Sequence, residues 1–372
     1  MVFSHGLGGT ANAYSQICGS IASHGMVVVA PDHRDGSAPI AFIKDTPQGK
    51  LKAVDCKQYA HDPSSKETQD GRNAQLKIRC WELGLVHNAL LRIDRGQNLT
   101  NTQGSVPSNN LNGFRSQLDV HAPGKISWSG HSFGATTLVQ FLKSSYYGGS
   151  FLYPRIPEEL SRQITSASPM ALLDLWSMPL TGPAPATMYK QPLPAFCGSP
   201  SSPPLAILSK GFYRWKDNFE HTLHTLTSPS ADAKPYIFYP IASAHLSQSD
   251  FGLLFPWLTK KALKAEEPDR TLRLNTRAIL EYLRRSEITI ADTSKLDMEI
   301  EGDQEGKTQA GLSLGQDRKI LASDGNVRGW TVVDVDEEKR KLGLSHNLYN
   351  DGFAHGGPKV PGEAVMKHEM KA

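Results

Sequence analysis

No stretch of this chain approaches the ~20 consecutive apolar residues that a membrane span requires. No basic-then-apolar leader opens it either. The two absences point to a cytoplasmic protein, with any membrane association peripheral. Cysteine is scarce: Cys18, Cys56, Cys80 and Cys197 are the only four in 372 residues. None stands at Cys-x-x-Cys spacing, which argues against a zinc cluster or a disulfide framework and leaves free thiols as the expectation. An excess of charge is missing too. Lys+Arg 40 against Asp+Glu 37 gives a formal net charge of +3, so nothing suggests a nucleic-acid groove. Asp334-Val335-Asp336 lacks the spacing of a calcium loop and reads as a solvated charge run, so neither metal nor other cofactor is expected. The sequon Asn98-Leu99-Thr100 is incidental in a chain without a leader.

What the sequence does contain is Gly130-His131-Ser132-Phe133-Gly134, preceded by the short apolar run Ile126 to Ser129 and followed by a helix-compatible segment from Thr136 to Lys143. Gly-x-Ser-x-Gly between strand and helix is the nucleophile elbow, a tight turn that lifts serine out where a carbonyl carbon can reach it. With 32 glycines in the chain the pentapeptide alone is weak evidence. Its weight depends on the rest of the pattern.

That pattern is strand–helix–strand. Met1 to Gly6 reads as the end of a strand and Leu7 to Thr10 as a glycine-rich loop. Tyr14, Ile17, Cys18 and Ile21 recur at helical spacing before Gly25, and Met26 to Ala30 is a continuous apolar run suited to a buried parallel strand. Asp45 to Asn73 is polar and weakly patterned, a surface excursion. Leu76 to Ile93 reads as a helix with Ile78, Trp81, Leu85, Leu90 and Ile93 inward. Further strands are expected at Pro169 to Asp174, Leu205 to Leu208 and Pro235 to Ile241, and a last helix from Asp269 to Arg285. The alternation predicts an α/β-hydrolase fold with a mostly parallel sheet over residues 1–286. Residues 287–372 read as an extension, flexible or weakly structured.

Acyl transfer by serine needs a base for its proton and a carboxylate to orient the base. In this fold they follow the serine in the order acid, then histidine. Ser132, Asp174 and His245 supply that order, each at or just after a predicted strand. Asp217 is the alternative acid. His221 and His224 are rival bases, although their spacing suggests a helix face. His5, His33 and His131 precede the acid. The turn His5-Gly6-Leu7-Gly8 is of the type whose backbone N–H joins that of the residue after the nucleophile to bind an oxyanion, which would make Leu7 and Phe133 the donors.

Together these residues resemble the platelet-activating factor acetylhydrolases of the plasma and intracellular type II kind. The resemblance is carried by Phe3-Ser4-His5-Gly6-Leu7-Gly8, Ala22-Ser23-His24-Gly25, His33-Arg34-Asp35, Gly130 to Gly134, Leu173 to Trp176 with Pro179-Leu180, and His245 with Asp250-Phe251. It covers about Val2 to Arg285. It implies a calcium-independent serine hydrolase that cleaves short or oxidised sn-2 acyl groups from phospholipids through Ser132, Asp174 and His245, with Leu7 and Phe133 as oxyanion donors. It also implies that the first strands of the family fold are missing here, and Gln248 stands where a phenylalanine is expected. A general carboxylesterase or polyester hydrolase shares the early motifs, and an impaired lipid-binding remnant is the non-enzymatic alternative. Phe251, Leu253, Leu254, Phe255, Trp257 and Leu258, ahead of Lys260, Lys261 and Lys264, allow a membrane or lipoprotein contact. A core helix with a basic outer end is the favoured reading of that stretch.

Overall fold

The computed structural model describes residues 1–44, 46, 48–60, 65–100, 108–148, 156–199, 201–227, 233–294, 318–322 and 327–344. Its centre is a six-stranded sheet. In chain order its strands are β1 (Val2–Ser4), β4 (Trp128–His131), β5 (Met170–Leu173), β6 (Leu205–Ile207), β7 (Tyr236–Pro240) and β8 (Trp330–Val332), and they neighbour one another in that same order. The first five are parallel and β8 runs antiparallel to β7. Strands β2 (Ile40–Ile43) and β3 (Lys52–Asp55) form a separate antiparallel hairpin. A mostly parallel sheet covered on both faces by helices is the α/β-hydrolase fold expected from the sequence.

The period-2 alternation of side chains explains why both faces are apolar. Val2, Leu172, Ala206 and Ile237 point into one core, shared with helices α2 (Lys66–Asp94) and α3 (Phe133–Tyr147). Their neighbours Phe3, Leu173, Ile207 and Phe238 point into the other. That second core is closed by helix α1 (Ser15–Ser23), through Ile17 and Ile21, and by the helix Pro268–Arg285, through Ile279 and Leu283.

Four expectations need correction. Met26 to Ala30 is not a regular strand: Val29 alone bridges to Val2, exchanging hydrogen bonds with Met1 and Phe3. Among the described residues nothing pairs with its outer side, and Val27 is exposed. The polar stretch after Asp45 contains β3 and the start of α2. On α2 itself Trp81 and Leu85 face outward, 48% and 43% exposed, while Arg72, Arg79 and Glu82 are buried. The core face of this helix is partly charged, so apolarity misassigned its phase. Finally, Leu254, Phe255 and Trp257 are 68%, 51% and 70% exposed, so the segment after His245 is not a core helix.

Residues 327–344, assigned from sequence to the extension, fold back onto the sheet. Trp330 stacks on Phe238 and donates its indole N–H to the Ile320 carbonyl at 2.9 Å. Asp334 caps the helix Val335–Leu342 by accepting from the N–H groups of Asp336 and Glu337, so one member of that charge run has a structural task. The remainder of 287–372 includes residues outside those described.

Lys143, on the inward side of α3, is fully buried and, among the described residues, donates to the Tyr189 carbonyl alone, at 3.5 Å. Burial pushes its amine down to about 7, against a slight opposing pull from Cys197. The folded state therefore binds fewer protons than the unfolded chain between about pH 7 and pH 10, and stability rises with pH across that window. Lys143→Met removes the penalty. Thermal melts should show a higher Tm for the variant at pH 7 and a flatter pH dependence up to pH 9.5. A lower Tm at both pH values would contradict this.

Candidate active site

Strand β4 delivers Ser132 into a sharp turn at φ 54°, ψ −118°, a conformation few non-glycine residues adopt. Such strain persists only where the surroundings over-determine it. The surroundings here are the last residues of β1. A Cβ on Gly134 would stand 2.0 Å from the Ser4 carbonyl oxygen and 2.7 Å from that of His5. A Cβ on Gly130 would stand 2.9 Å from the Gly134 carbonyl carbon. The two glycines let the first turn of α3 lie directly against the end of β1, which brings Ser132 beside the His5–Gly8 turn.

Asp174 follows β5, also at positive φ (45°), and is completely buried. One carboxylate oxygen accepts from the Ser209 backbone N–H and the other from His245 Nδ1–H at 2.8 Å. With Nδ1 engaged, the free ring nitrogen of His245 is Nε2. The ring is held on both sides, stacked on Phe212 at 4.4 Å and 12° and packed against His131 at 4.4 Å. No hydrogen bond joins Ser132 Oγ to His245 among the described residues; such contacts are commonly loose before substrate binds. The structure thus brings Asp174 and His245 into direct contact beside the elbow. Asp217 lies in the first turn of the helix Lys216–Leu226, and among the described residues the carboxylate bonded to His245 is that of Asp174. His221 and His224 lie on that helix too, against Tyr189.

The backbone N–H groups of Leu7 and Phe133 have no acceptor among the described residues. The Gly6 N–H is taken by the Tyr14 hydroxyl and the Gly8 N–H by the Ser37 carbonyl. The Leu7 and Phe133 donors are therefore open to an added acceptor.

A buried polar network holds the turn in place. The Arg79 guanidinium, fully buried, donates to the Asp35 carboxylate and the His5 carbonyl, both at 2.8 Å, and to Ser37 Oγ. It also lies 4.7 Å from the centre of the Phe133 ring. Burial alone would raise the Asp35 carboxyl, but Arg79 and Ser37 hold it below its usual range. Around this pair His33 donates from Nδ1 to Glu82 at 2.8 Å and accepts from Ser4 Oγ at Nε2. Its backbone N–H bonds His5 Nε2 at 3.0 Å. Burial and Arg79 keep both histidines neutral, and burial raises Glu82, so the His33–Glu82 contact is a hydrogen bond rather than an ion pair.

Of the residues named from sequence, the structure joins Asp174 to His245 and sets Ser132 in the strained turn after β4. Sequence reasoning missed Arg79, Glu82, Tyr14 and Phe212. A signal existed for the first: Arg79 falls three residues after Leu76 and four before Leu83, on the buried face of α2.

A family model described as platelet-activating factor acetylhydrolase, isoform II, matches residues 1–306. The chain belongs to this family. Among relatives, a Schizosaccharomyces pombe protein named "Putative phospholipase A2" is 28% identical over 77% of this chain and 67% of its own length. The Gallus gallus platelet-activating factor acetylhydrolase is 25% identical over 81% of this chain and 65% of its own length. The Bos taurus enzyme of that name is 31% identical over 43% of this chain and 38% of its own length. The chain therefore spans about two thirds of the length of the first two family relatives.

Removing one member of a buried ion pair leaves an uncompensated charge and typically costs ~3–5 kcal/mol. Arg79→Met should lower stability to denaturant by that order, and the double variant Arg79→Met/Asp35→Leu should recover much of it. A single variant as stable as the unmodified protein would contradict the pair's role as the clamp on this turn.

Proposed function

We propose that this protein is a calcium-independent serine esterase that removes the sn-2 acetyl or short acyl group of glycerophospholipids. The observation that carries the reading is the Asp174–His245 hydrogen bond beside a strained elbow serine, in a chain of this family. In this mechanism Ser132 Oγ attacks the ester carbonyl while His245 Nε2 takes its proton. Asp174 holds the ring and stabilises the imidazolium. The tetrahedral oxyanion sits between Leu7 N–H and Phe133 N–H, each worth ~3 kcal/mol of transition-state stabilisation. His245 then gives its proton to the leaving lysolipid oxygen, and water attacks the acyl-Ser132 ester by the same steps in reverse order. Carbonyl polarisation and nucleophile activation, the tasks a metal ion would perform, both fall to named groups of the chain.

The substrate side rests on the surface beyond the base. Leu254, Phe255 and Trp257 project from the segment that follows the His245 turn, and Lys260, Lys261 and Lys264 lie exposed beside them. The Lys261 ammonium sits 4.9 Å from the centre of the Trp257 ring. Exposed aromatic and aliphatic side chains next to amines suit the interface of a phospholipid membrane or a lipoprotein. No helix among the described residues is long and apolar enough to cross a membrane. Four free cysteines, Cys56 and Cys197 among them exposed, fit a reducing, cytoplasmic compartment.

The experiment is turnover of 2-acetyl and longer-chain glycerophospholipids without calcium, with organophosphate labelling in parallel. Labelling should be lost in Ser132→Ala and acetate release with it. Trp257→Ala should keep its rate on a dispersed short-chain ester and lose roughly tenfold on vesicles, since one large apolar side chain contributes ~1.5–3 kcal/mol on burial. Labelling without phospholipid turnover would favour a general carboxylesterase. Labelling that survives in Ser132→Ala would overturn the nucleophile.

A further inference from the structure

We infer that Tyr14 is a positioning residue for this reaction: its hydroxyl ties the oxyanion turn to the ring that backs the catalytic base. The inference rests on the esterase reading above.

Three segments converge on this one side chain. The Tyr14 oxygen accepts from Gly6 N–H at 3.0 Å, and Gly6 immediately precedes the oxyanion donor Leu7. The same hydroxyl lies 2.7 Å from His131 Nδ1. His131 is the residue before Ser132, and its ring packs against that of His245 at 4.4 Å. The base's own loop is bonded to the turn that carries Tyr14, because Asp250 N–H donates to the Ala13 carbonyl at 2.8 Å and Gln16 N–H donates to the Asp250 carboxylate at 3.1 Å. Elbow, oxyanion turn and base loop therefore meet at a tyrosine that is 3% exposed.

The direction of the protons follows from burial. Burial raises the Tyr14 phenol, which stays a neutral hydroxyl with one proton to give. Its oxygen already receives Gly6 N–H, so that proton goes to His131 Nδ1. His131 is free to accept it, because burial and the neighbouring His245 hold it well below the usual histidine range, with only partial opposition from the His245 backbone. The chain Gly6 N–H, Tyr14 O–H, His131 Nδ1 thus leaves the proton of a neutral His131 ring on Nε2, which is buried and has no hydrogen-bond partner among the described residues. A neutral ring beside His245 places no second positive charge against the imidazolium that forms during catalysis. Removing the hydroxyl leaves two buried groups without partners, Gly6 N–H and His131 Nδ1, and releases the turn that aims Leu7 N–H.

A mere packing role is separable from this one. The Tyr14 ring lies 5.0 Å from that of Phe3, a contact that phenylalanine preserves. Tyr14→Phe should therefore melt as a folded protein and keep its KM for a short soluble ester within about twofold. Its kcat should fall about tenfold or more, short of the 10²–10³ that follows complete loss of an oxyanion donor. Organophosphate labelling of Ser132 should slow by a similar factor. Asparagine can present a side-chain acceptor near the Nδ1 position, so His131→Asn should retain more kcat than His131→Leu. Adding Tyr14→Phe to His131→Leu should cost little further, because both changes break one chain. Full kcat in Tyr14→Phe, an effect on KM alone, or independent losses in the double variant would overturn the inference. An unmodified protein that neither turns over esters nor is labelled would instead overturn the esterase reading beneath it.

Discussion

The first turn of α3 touches the end of β1, and the rest of the site depends on that contact. Gly134 sits so close to the Ser4 carbonyl that no side chain fits between them. The approach accompanies Ser132 at positive φ and brings the turn that carries it against the end of β1, and among the described residues neither Leu7 N–H nor Phe133 N–H has an acceptor. A methyl group at residue 134 would collide with the Ser4 and His5 carbonyl oxygens and push β1 and α3 apart. Parallel pairing of β1 with β4, Ser4 opposite Gly130, carries this alignment into the sheet.

The contact is held by charge as well as by packing. Behind the turn, Arg79 reaches Asp35, the His5 carbonyl and Ser37, and spans to the Phe133 ring, so one buried cation touches both the His5–Gly8 turn and the start of α3. His33, Glu82 and Ser4 satisfy the polar groups around it. Buried ionic groups contribute little net stability compared with apolar packing. Their benefit here is a fixed geometry for the loop, which the proposed mechanism asks to bind a charge that exists only in the transition state.

How much of this was legible in the sequence follows from what each residue does. Candidates for elbow, acid and base could be named because serine acyl transfer restricts such roles to few residue types at strand ends, in a fixed order along the chain. The parallel sheet was legible from Leu172, Ile207 and their neighbours, apolar on both faces. The phase of α2 was not, because its core face carries Arg72, Arg79 and Glu82, and the partners of Arg79 and Glu82 lie on loops distant in sequence. Tyr14 read as one more apolar position at helical spacing; its hydroxyl acquires a task only when residues 6, 131 and 250 are brought around it. Trp330 to Val333 was legible as an isolated apolar patch that could form a small hairpin, but its pairing with β7 was not, because three residues at a sheet edge give no periodicity. Exposure of Leu254, Phe255 and Trp257 was missed for the opposite reason, since apolar residues beside lysines serve a core helix and a lipid-facing one equally well.

The central claim is that Ser132 and the two backbone N–H groups form one reactive centre. A crystal structure of the protein after reaction with an organophosphonate tests it most directly. The account predicts phosphorus bonded to Ser132 Oγ and the phosphonyl oxygen about 2.7–3.1 Å from both Leu7 N and Phe133 N. An adduct on another residue, or a phosphonyl oxygen turned away from those two nitrogens, would contradict it.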